Sequence, residues 1–315
     1  MRSSSSPTSL IVACLVVSGG CAEQESEPAA TLSFATPDEA AAALALAVAE
    51  NDPVELQRLL GPGTEDLLSS GDAVADRNAR ESFLERYRAN HNLVAGGPND
   101  LVLQVGTENW PLPIPLVRYE GRWQFDGAAG AHELVVRRIG ANELRTIEVM
   151  RGFVAAQRDY AGASHDGVAP GTYAQKLRSE AGKHDGLYWE VGQGEPLSPA
   201  GALLAAATDE GYSHADGKEV PYHGYVYRML FSQGSDAPGG AHSYLVEGRL
   251  SDGFGLLAQP ADYGASGVMT FIVSQDGVVW QRDLGADTSR VAASIREVNP
   301  DLAWTPIAPD PAAEL

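Results

Sequence analysis

Three short segments of this 315-residue chain each hold a histidine, an aspartate and a glycine close together. They are His165-Asp166-Gly167, His184-Asp185-Gly186 and His214-Ala215-Asp216-Gly217. Zn²⁺ takes three or four converging ligands at about 2.0–2.3 Å, and Ca²⁺ takes carboxylate oxygens. The segments therefore raise a metal-site hypothesis, with Ca²⁺ beside Asp166 or Asp185 as its stronger form. The alternative is that the segments form turns and that the protein has no cofactor. The sequence favours this alternative, because Asp-Gly is foremost a turn dipeptide.

Motifs for covalent catalysis are weak in this sequence. Gly264-Ala265-Ser266-Gly267 is not a G-x-S-x-G elbow, and its predicted setting, a loop leading into a strand, lacks the helix that exposes a nucleophile. No segment fits a phosphate-binding loop or a dinucleotide fingerprint. Acids such as Asp209-Glu210 and Glu219 offer general acid and base groups, but acids in a chain of net charge −20 are mostly solvated surface. A non-catalytic protein is the preferred interpretation, with a hydrolase, isomerase or metal-dependent enzyme as the alternative.

Aromatic residues provide a second kind of candidate site, one that binds a ligand or a partner. Five of them lie on or beside predicted strands, where rigid rings can form a recognition face: Tyr222, Tyr225, Tyr227, Tyr263 and Trp280. Trp110 and Trp123, in the first half of the chain, are candidates to line a pocket. The alternatives are that the tyrosines pack on a long helix and that the tryptophans fill a core.

The N-terminus has the pattern of a bacterial lipoprotein signal. Arg2 precedes an apolar run from Leu10 to Val17, and small residues then lead to Cys21. The run is too short to span a bilayer. We expect cleavage before Cys21, a lipid on that cysteine, and a disordered acidic tether over residues 21–33. The alternative is an ordinary secretory signal with an incidental cysteine.

Composition agrees with a protein of the bacterial envelope. The net charge of −20 repels phosphate backbones, which argues against nucleic-acid binding. Cys14 and Cys21 are the two cysteines, so the mature chain would have no disulfide. The residue after the cysteine is Ala22, and in this the chain resembles lipoproteins sorted to the outer membrane. We therefore expect the protein on the periplasmic face of the outer membrane.

The first half of the chain reads as helices followed by an antiparallel meander, an α+β pattern. Thr36-Pro37-Asp38-Glu39 is a capping box, Asp52-Pro53 starts a second helix, and a third is predicted over residues 73–91. Period-two segments then predict strands over residues 101–105, 114–119 and 122–126. We expect a domain over residues 34–138.

The second half predicts another α+β domain, over residues 139–305. It opens with an amphipathic helix from Asn142 to Tyr160. Two short helices are predicted over residues 173–180 and 199–208, and strands over 222–231, 253–260, 268–274 and 278–283. Gly234 to His242 should be a mobile hairpin tip, and the chain from Leu302, with residues 306–315 as a flexible tail, should fray.

Five segments together resemble an uncharacterised family of bacterial envelope proteins, domain of unknown function 2950. They are FATPDEA at 34–40, WPLPIPLV at 110–117, RRIGANEL at 137–144, DGLYW at 185–189 and GASGVMTF at 264–271. The resemblance covers nearly the whole mature chain. It implies no activity, cofactor or catalytic residue.

Each predicted domain also resembles a known fold. The first is similar to the cone-shaped nuclear-transport-factor-like fold, in which a curved sheet wraps a long helix and leaves a pocket. The second is similar to the globular heads of type II pilins and pseudopilins through its long helix, YHGYVY at 222–227, GLLAQP at 255–260 and TFIVSQDGV at 270–278. The chain lacks the assembly helix and prepilin cleavage site of those proteins, so a borrowed pilin-like head is expected.

The sequence favours a lipid-anchored, non-catalytic envelope protein that presents binding surfaces to another envelope component. Its expected partners are the membrane, through the anchor, and an envelope protein. Besides an enzyme, the alternative is a carrier of a small apolar ligand in the pocket of the first domain.

Overall fold

The computed structural model describes residues 31–191, 197–202, 207, 210, 212 and 221–308. Helices and antiparallel strands occur together in this part of the chain, which confirms the α+β class. Cys21, His214, Asp216 and half of the helix predicted over residues 199–208 lie outside the described residues. Within these ranges, no helix is both long and apolar enough to cross a bilayer.

Four helices open the described chain: α1 (Pro37–Glu50), α2 (Pro53–Leu60), α3 (Glu65–Leu68) and α4 (Ala73–Ala89). The predicted capping box is confirmed, since the Glu39 N–H donates to Thr36 Oγ1 at 3.2 Å and the Glu39 carboxylate accepts from the Thr36 N–H. Asp52 and Asp72 cap α2 and α4 in the same way as each other, each with one carboxylate oxygen accepting two backbone N–H groups. Side-chain caps therefore set these helix starts.

The first sheet packs against these helices. Its strands are β1 (His91–Ala95), β2 (Asp100–Val105), β3 (Trp110–Pro111), β4 (Leu116–Tyr119) and β5 (Arg122–Phe125), paired antiparallel in the order β1-β2-β4-β5 with β3 beside β2. The third helix was predicted to reach His91, but α4 ends at Ala89 and His91 begins β1. Asn90 is already extended, with φ −165°. Leu59, Leu103 and Leu116 are fully buried in the core between helices and sheet.

A single helix, α5 (Gly127–Ala161), leads out of this core and into the second one. It begins well before Asn142, the predicted start. Its first turns, Gly127-Ala128-Ala129-Gly130, carry no large apolar residue, so the periodicity signal is silent there. Asp126 caps the helix by accepting the Ala129 N–H at 3.1 Å.

The second core lies between α5 and an antiparallel sheet with the strand order β14-β13-β12-β11-β6. These strands are β6 (Tyr225–Leu230), β11 (Gly255–Pro260), β12 (Met269–Ser274), β13 (Val279–Asp283) and β14 (Thr305–Pro306). Short strands β7 (Ser232–Gln233), β8 (His242–Ser243), β9 (Leu245–Val246) and β10 (Arg249–Leu250) connect β6 to β11, and helix α6 (Thr288–Ser294) follows β13. The four strands predicted in this half are confirmed, with small shifts at their ends.

Two local predictions in the second half are wrong. Residues 173–180 form no helix, because the buried Gln157 amide bonds both the N–H and the C=O of Ala174 at 2.9 Å and holds that backbone extended against α5. The tail does not fray from Leu302, since Thr305–Pro306 pairs with β13 and Trp304 is buried. The Gly234–His242 hairpin tip, predicted to be mobile, is bonded to the Gln233 side-chain amide through the carbonyls of Pro238 and Gly240.

Candidate functional site

A cavity of about 380 Å³ lies in the first core, between α1, α2, α4, the sheet and the first half of α5. Its walls are mostly aliphatic and aromatic. The main contributors are Leu44, Leu56, Leu60, Phe83, Val105 and Ile114. Small-molecule sites in proteins have this size and this apolar character.

The composition of α4 explains why the space is left open. No residue of α4 is fully buried, although the helix crosses the core. Ala79 and Ser82 face the cavity beside Phe83, where larger apolar residues would fill it. The helix therefore packs on the core through partly buried residues such as Phe83 and Tyr87, and the small residues beside them leave the space open.

Charged groups at the cavity are mainly basic: Arg80, Arg86 and Arg138, with Asp76 as the acid. The Arg138 guanidinium donates to the carbonyls of Asp66 at 2.8 Å and Leu67 at 2.9 Å. Its burial lowers its pKa, against the opposing effect of Asp76 and Asp66. Arg138 thus fixes the end of α3 at the rim of the cavity.

Trp110, a candidate pocket residue of the first half, is among the residues that line the cavity. Its ring lies within 6.0 Å of the guanidinium of Arg86 and 5.8 Å of that of Arg137, distances at which a cation is attracted to an aromatic face. Trp123 packs against the same core from β5, where its backbone pairs with Phe34, and it does not line the cavity. The two tryptophans therefore have different environments.

This site is suited to binding. Asp76 is the one carboxylate among the described lining residues, and it accepts hydrogen bonds from the Ser70 N–H at 3.0 Å and the Ser70 hydroxyl at 2.7 Å. General acid–base chemistry needs a titratable group within hydrogen-bond reach of the reacting atoms. The described lining consists mainly of apolar side chains and arginines, and its carboxylate is already hydrogen-bonded to Ser70. This composition favours binding of an apolar ligand over chemical conversion of a substrate.

A second cluster of polar and aromatic groups lies where the two cores meet, around the buried Asp72. One oxygen of the Asp72 carboxylate caps α4, and the other accepts the Tyr212 hydroxyl at 2.9 Å and the Gly224 N–H at 2.8 Å. The Tyr212 oxygen also accepts the His223 N–H at 3.3 Å. Each of these groups is used to join α4 to the segment before β6.

His223 in this cluster is buried and neutral. Burial, and to a lesser extent the nearby Arg145 cation, lowers the pKa of its imidazole to about 4, against the opposing effect of Asp72. Its ring contacts the ring of Tyr222 at 4.0 Å, and burial raises the pKa of Tyr222 to about 12. These shifts follow from packing at the junction of the two cores.

Two of the three His-Asp-Gly segments meet around Trp189. His184 lies 4.5 Å and His165 5.5 Å from its ring, and His165 stacks on Tyr160 at 4.1 Å. Asp166 accepts the His184 N–H at 2.6 Å, and Asp185 pairs with Lys176 at 2.7 Å. Asp166 and Gly167 have positive φ, as a turn requires. Among the described residues, no three His, Cys, Asp or Glu side chains are placed to hold an ion together.

The five aromatics of the second half do not share one exposed face. Tyr225 is fully buried, and its hydroxyl donates to the Met269 carbonyl at 2.9 Å. Tyr227 reaches Thr146 on α5, as the packing alternative predicts. The remaining three are half-buried and separated: Tyr222 beside His223, Tyr263 beside Asp283, and Trp280 on β13.

Sequence reasoning missed Arg80, Arg86 and Arg138 as site residues. Arginines on a charged helix such as α4 resemble ordinary solvated positions. The available signal was the three-residue spacing of Arg80, Phe83 and Arg86, which brings an apolar ring and two guanidinium groups to neighbouring positions of the helix.

Comparison with known proteins gives one match. A family model described as protein of unknown function (DUF2950) matches residues 31–307. No curated protein and no solved structure matches the chain.

Proposed function

Because this chain belongs to the DUF2950 family, whose description assigns no activity, we propose its function from the cavity: it binds a small apolar molecule there. The observation that carries this proposal is an open space of about 380 Å³ with apolar walls inside a folded core. Protein interiors are otherwise close-packed, and an empty apolar cavity stays dry and takes apolar ligands.

We also propose that the protein is lipid-anchored at Cys21 on the periplasmic face of the outer membrane. The lipoprotein signal supports this address. The Leu32 N–H donates to the Arg58 carbonyl at 2.8 Å, which ties the start of the described chain to α2, a wall of the cavity. Of the tether expected over residues 21–33, the last three residues belong to the described chain, where Leu32 and Ser33 are hydrogen-bonded. The ten residues before them span at most roughly 35 Å, so the cavity would work close to the bilayer surface.

The anchor is tested by metabolic labelling with a fatty-acid analogue. The wild-type chain should be labelled and recovered with membranes, and a Cys21→Ala chain should lose the label. Wild-type protein that stays unlabelled in the cytosol would rule out the address.

The finer fold comparisons are part of the same proposal. A sheet with a cavity between it and a covering helix supports a nuclear-transport-factor-like cone in the first half. A long helix backing an antiparallel sheet supports a pilin-like second half. Both comparisons rest on architecture, and architecture of this kind is shared by proteins of many functions.

Partner binding, the function that the sequence favours, stays a prediction. The cavity gives ligand binding the stronger support, because it combines volume, apolar walls and an opening in one place. The five aromatic residues proposed as a partner surface lie in separate environments.

Ligand binding is tested with straight-chain alcohols of about 6 to 14 carbons, measured by displacement of a fluorescent apolar probe. Each buried methylene contributes about 0.8 kcal/mol, so affinity should rise about fourfold per carbon and level off once the cavity is full. A Ser82→Leu substitution fills the cavity and should weaken binding of the longer alcohols.

A Glu81→Leu substitution is the matched control, since it adds the same side chain to the exposed neighbouring position of α4. It should leave binding unchanged. Equal loss in both variants, or no dependence on chain length in the wild-type protein, would contradict the proposed function.

A further inference from the structure

The charge at the cavity is opposite to the charge of the molecule. The chain has 42 acidic and 22 basic residues, yet the cavity lining contains three arginines and one aspartate. A basic site in an acidic protein concentrates anions locally and disfavours cations.

Two of these four charged groups already have partners. Asp76 is bonded to Ser70, and Arg138 is bonded to the carbonyls that end α3. Arg137, which lies near Trp110, pairs with Glu133 at 2.5 Å. None of these groups is available to a ligand without breaking a contact.

Arg80 and Arg86 are available. Over the part of the chain that the structure describes, neither guanidinium makes an ion pair. Arg80 is half-buried, and Arg86 lies with its guanidinium near the Trp110 ring. The aliphatic stem of Arg86 lies beside Gly106, where a Cβ would be 3.4 Å from its Cγ, an ordinary contact distance. Two guanidinium groups at the cavity without carboxylate partners are suited to a carboxylate or phosphate.

The volume limits the apolar part of the ligand. At roughly 30 Å³ for a water-sized group, 380 Å³ holds about a dozen such groups, which corresponds to one medium-length chain.

We propose that the ligand is an anionic amphiphile with one apolar chain, whose chain fills the cavity and whose head group pairs with Arg80 and Arg86 beside Trp110. This inference rests on the proposed function, because it adds the head group to the apolar ligand inferred above. A soap-like carboxylate is the simplest molecule with these properties.

The test compares decanoate with decanamide, which has the same chain and a neutral head of similar shape, by calorimetry on the full chain after removal of bound lipid. The wild-type protein should bind decanoate about tenfold or more tighter than decanamide, since charge-assisted hydrogen bonds are about twice as strong as neutral ones. An Arg80→Gln/Arg86→Gln variant should lose that preference and keep its affinity for decanamide.

An Arg77→Gln/Arg88→Gln variant is the control, because it removes the same two charges from exposed positions of α4 outside the cavity. It should keep the preference for decanoate. Thermal unfolding checks that every variant is folded.

The outcomes separate the two proposals. Equal binding of decanoate and decanamide to the wild-type protein would overturn the anionic head group and leave the apolar ligand in place. Displacement of decanoate by inorganic phosphate at equal concentration would overturn the amphiphile in favour of a free anion. Binding of neither chain would overturn both proposals.

Discussion

At the scale of single residues, His223 has an imidazole pKa that burial lowers well below its ordinary value. Its backbone is left-handed, with φ 51°, and its ring lies among Tyr212, Tyr222 and Arg145. The Glu210 carboxylate lies 3.6 Å from its Nδ1 and Asp72 is close by. Protonation would place a cation in this buried site beside another cation, and folding therefore selects the neutral imidazole.

Because His223 is neutral in the folded protein, we predict that the free energy of unfolding decreases at mildly acidic pH. The pKa of His223 is about 4 in the folded protein and about 6.5 in an unfolded chain, so the unfolded state binds the extra proton between these values. The contribution of His223 is fully present above pH 6.5 and is lost as the pH falls toward 4. Replacing His223 by Asn, which tolerates left-handed backbone, should reduce the difference in unfolding free energy between pH 7 and pH 5 by about 1–2 kcal/mol.

Urea unfolding of both proteins at the two pH values measures this difference. A His132→Gln variant serves as the control, since His132 is exposed on α5 and should leave the pH dependence as it is in the wild-type protein. An unchanged pH dependence in His223→Asn would show that the imidazole is not the group that titrates.

At the scale of elements, the start of α5 depends on two glycines that allow close backbone approach. A Cβ on Gly130 would lie 2.4 Å from the Pro113 carbonyl oxygen and 2.6 Å from Ile114 Cα. A Cβ on Gly127 would lie 2.0 Å from the Leu60 carbonyl oxygen. The opposing atoms are backbone, so no side-chain rotation relieves the overlap. Glycine has a low helix propensity, but it is the residue that fits these two positions because it has no Cβ.

Gly130→Ala should therefore destabilise the protein by about 3 kcal/mol, although alanine is the better helix former. Gly140 lies in the same helix with open space around its Cα. Gly140→Ala should stabilise the protein by about 0.5–1 kcal/mol, the ordinary gain in a helix interior. Thermal or urea unfolding measures the change in unfolding free energy for each substitution. Changes in the same direction for both variants would contradict the close approach of α5 to the Pro113–Ile114 backbone.

At the scale of the whole molecule, Asp72 joins the two cores. Its carboxylate caps α4 with one oxygen and binds Tyr212 and Gly224 with the other, across 140 and 152 residues of sequence. Arg138 and Asn142 add bonds from α5 to the carbonyls of Ala265 and Ser266. Polar contacts of buried groups, together with the continuous α5, thus fix how the two cores meet.

Asp72→Asn should cost about 2–4 kcal/mol of unfolding free energy. An amide has one acceptor oxygen, so either the α4 cap or the bonds to Tyr212 and Gly224 must be lost, and an NH₂ group would then face buried donors. Asp52 caps α2 with the same geometry, and within the part of the chain that the structure describes its second oxygen makes no such bonds.

Asp52→Asn is thus a matched control, expected within about 0.5 kcal/mol of the wild-type protein because Asn and Asp cap helices equally well. Urea unfolding followed by circular dichroism compares the two variants. Equal effects would mean that the second oxygen of Asp72 contributes nothing to the joining of the cores.

Local structure was largely predictable from the sequence. The cap at Thr36, the start of α2 after Asp52, three strands of the first sheet (β2, β4 and β5) and four strands of the second (β6, β11, β12 and β13) follow from signals within a few residues, and each is confirmed. Strands β1 and β3 were not predicted. The start of α5 was missed because its glycines serve contacts with Leu60, Pro113 and Ile114, which lie elsewhere in the chain. The ordered Thr305–Pro306 was missed because two residues carry no period of their own.

The sequence by itself determined the class of the fold, the helix caps, the family resemblance and the expectation of a lipid anchor, because each depends on residues close together in the chain. Only the tertiary structure decided where the cavity lies, which arginines surround it and how Asp72 meets Gly224. These features form between residues that are far apart in the sequence. A cavity in particular exists where side chains from several elements do not fill the space between them. The hydrophobic periodicity of a helix or strand predicts which face is buried, but it does not predict an unfilled space between α4 and the sheet.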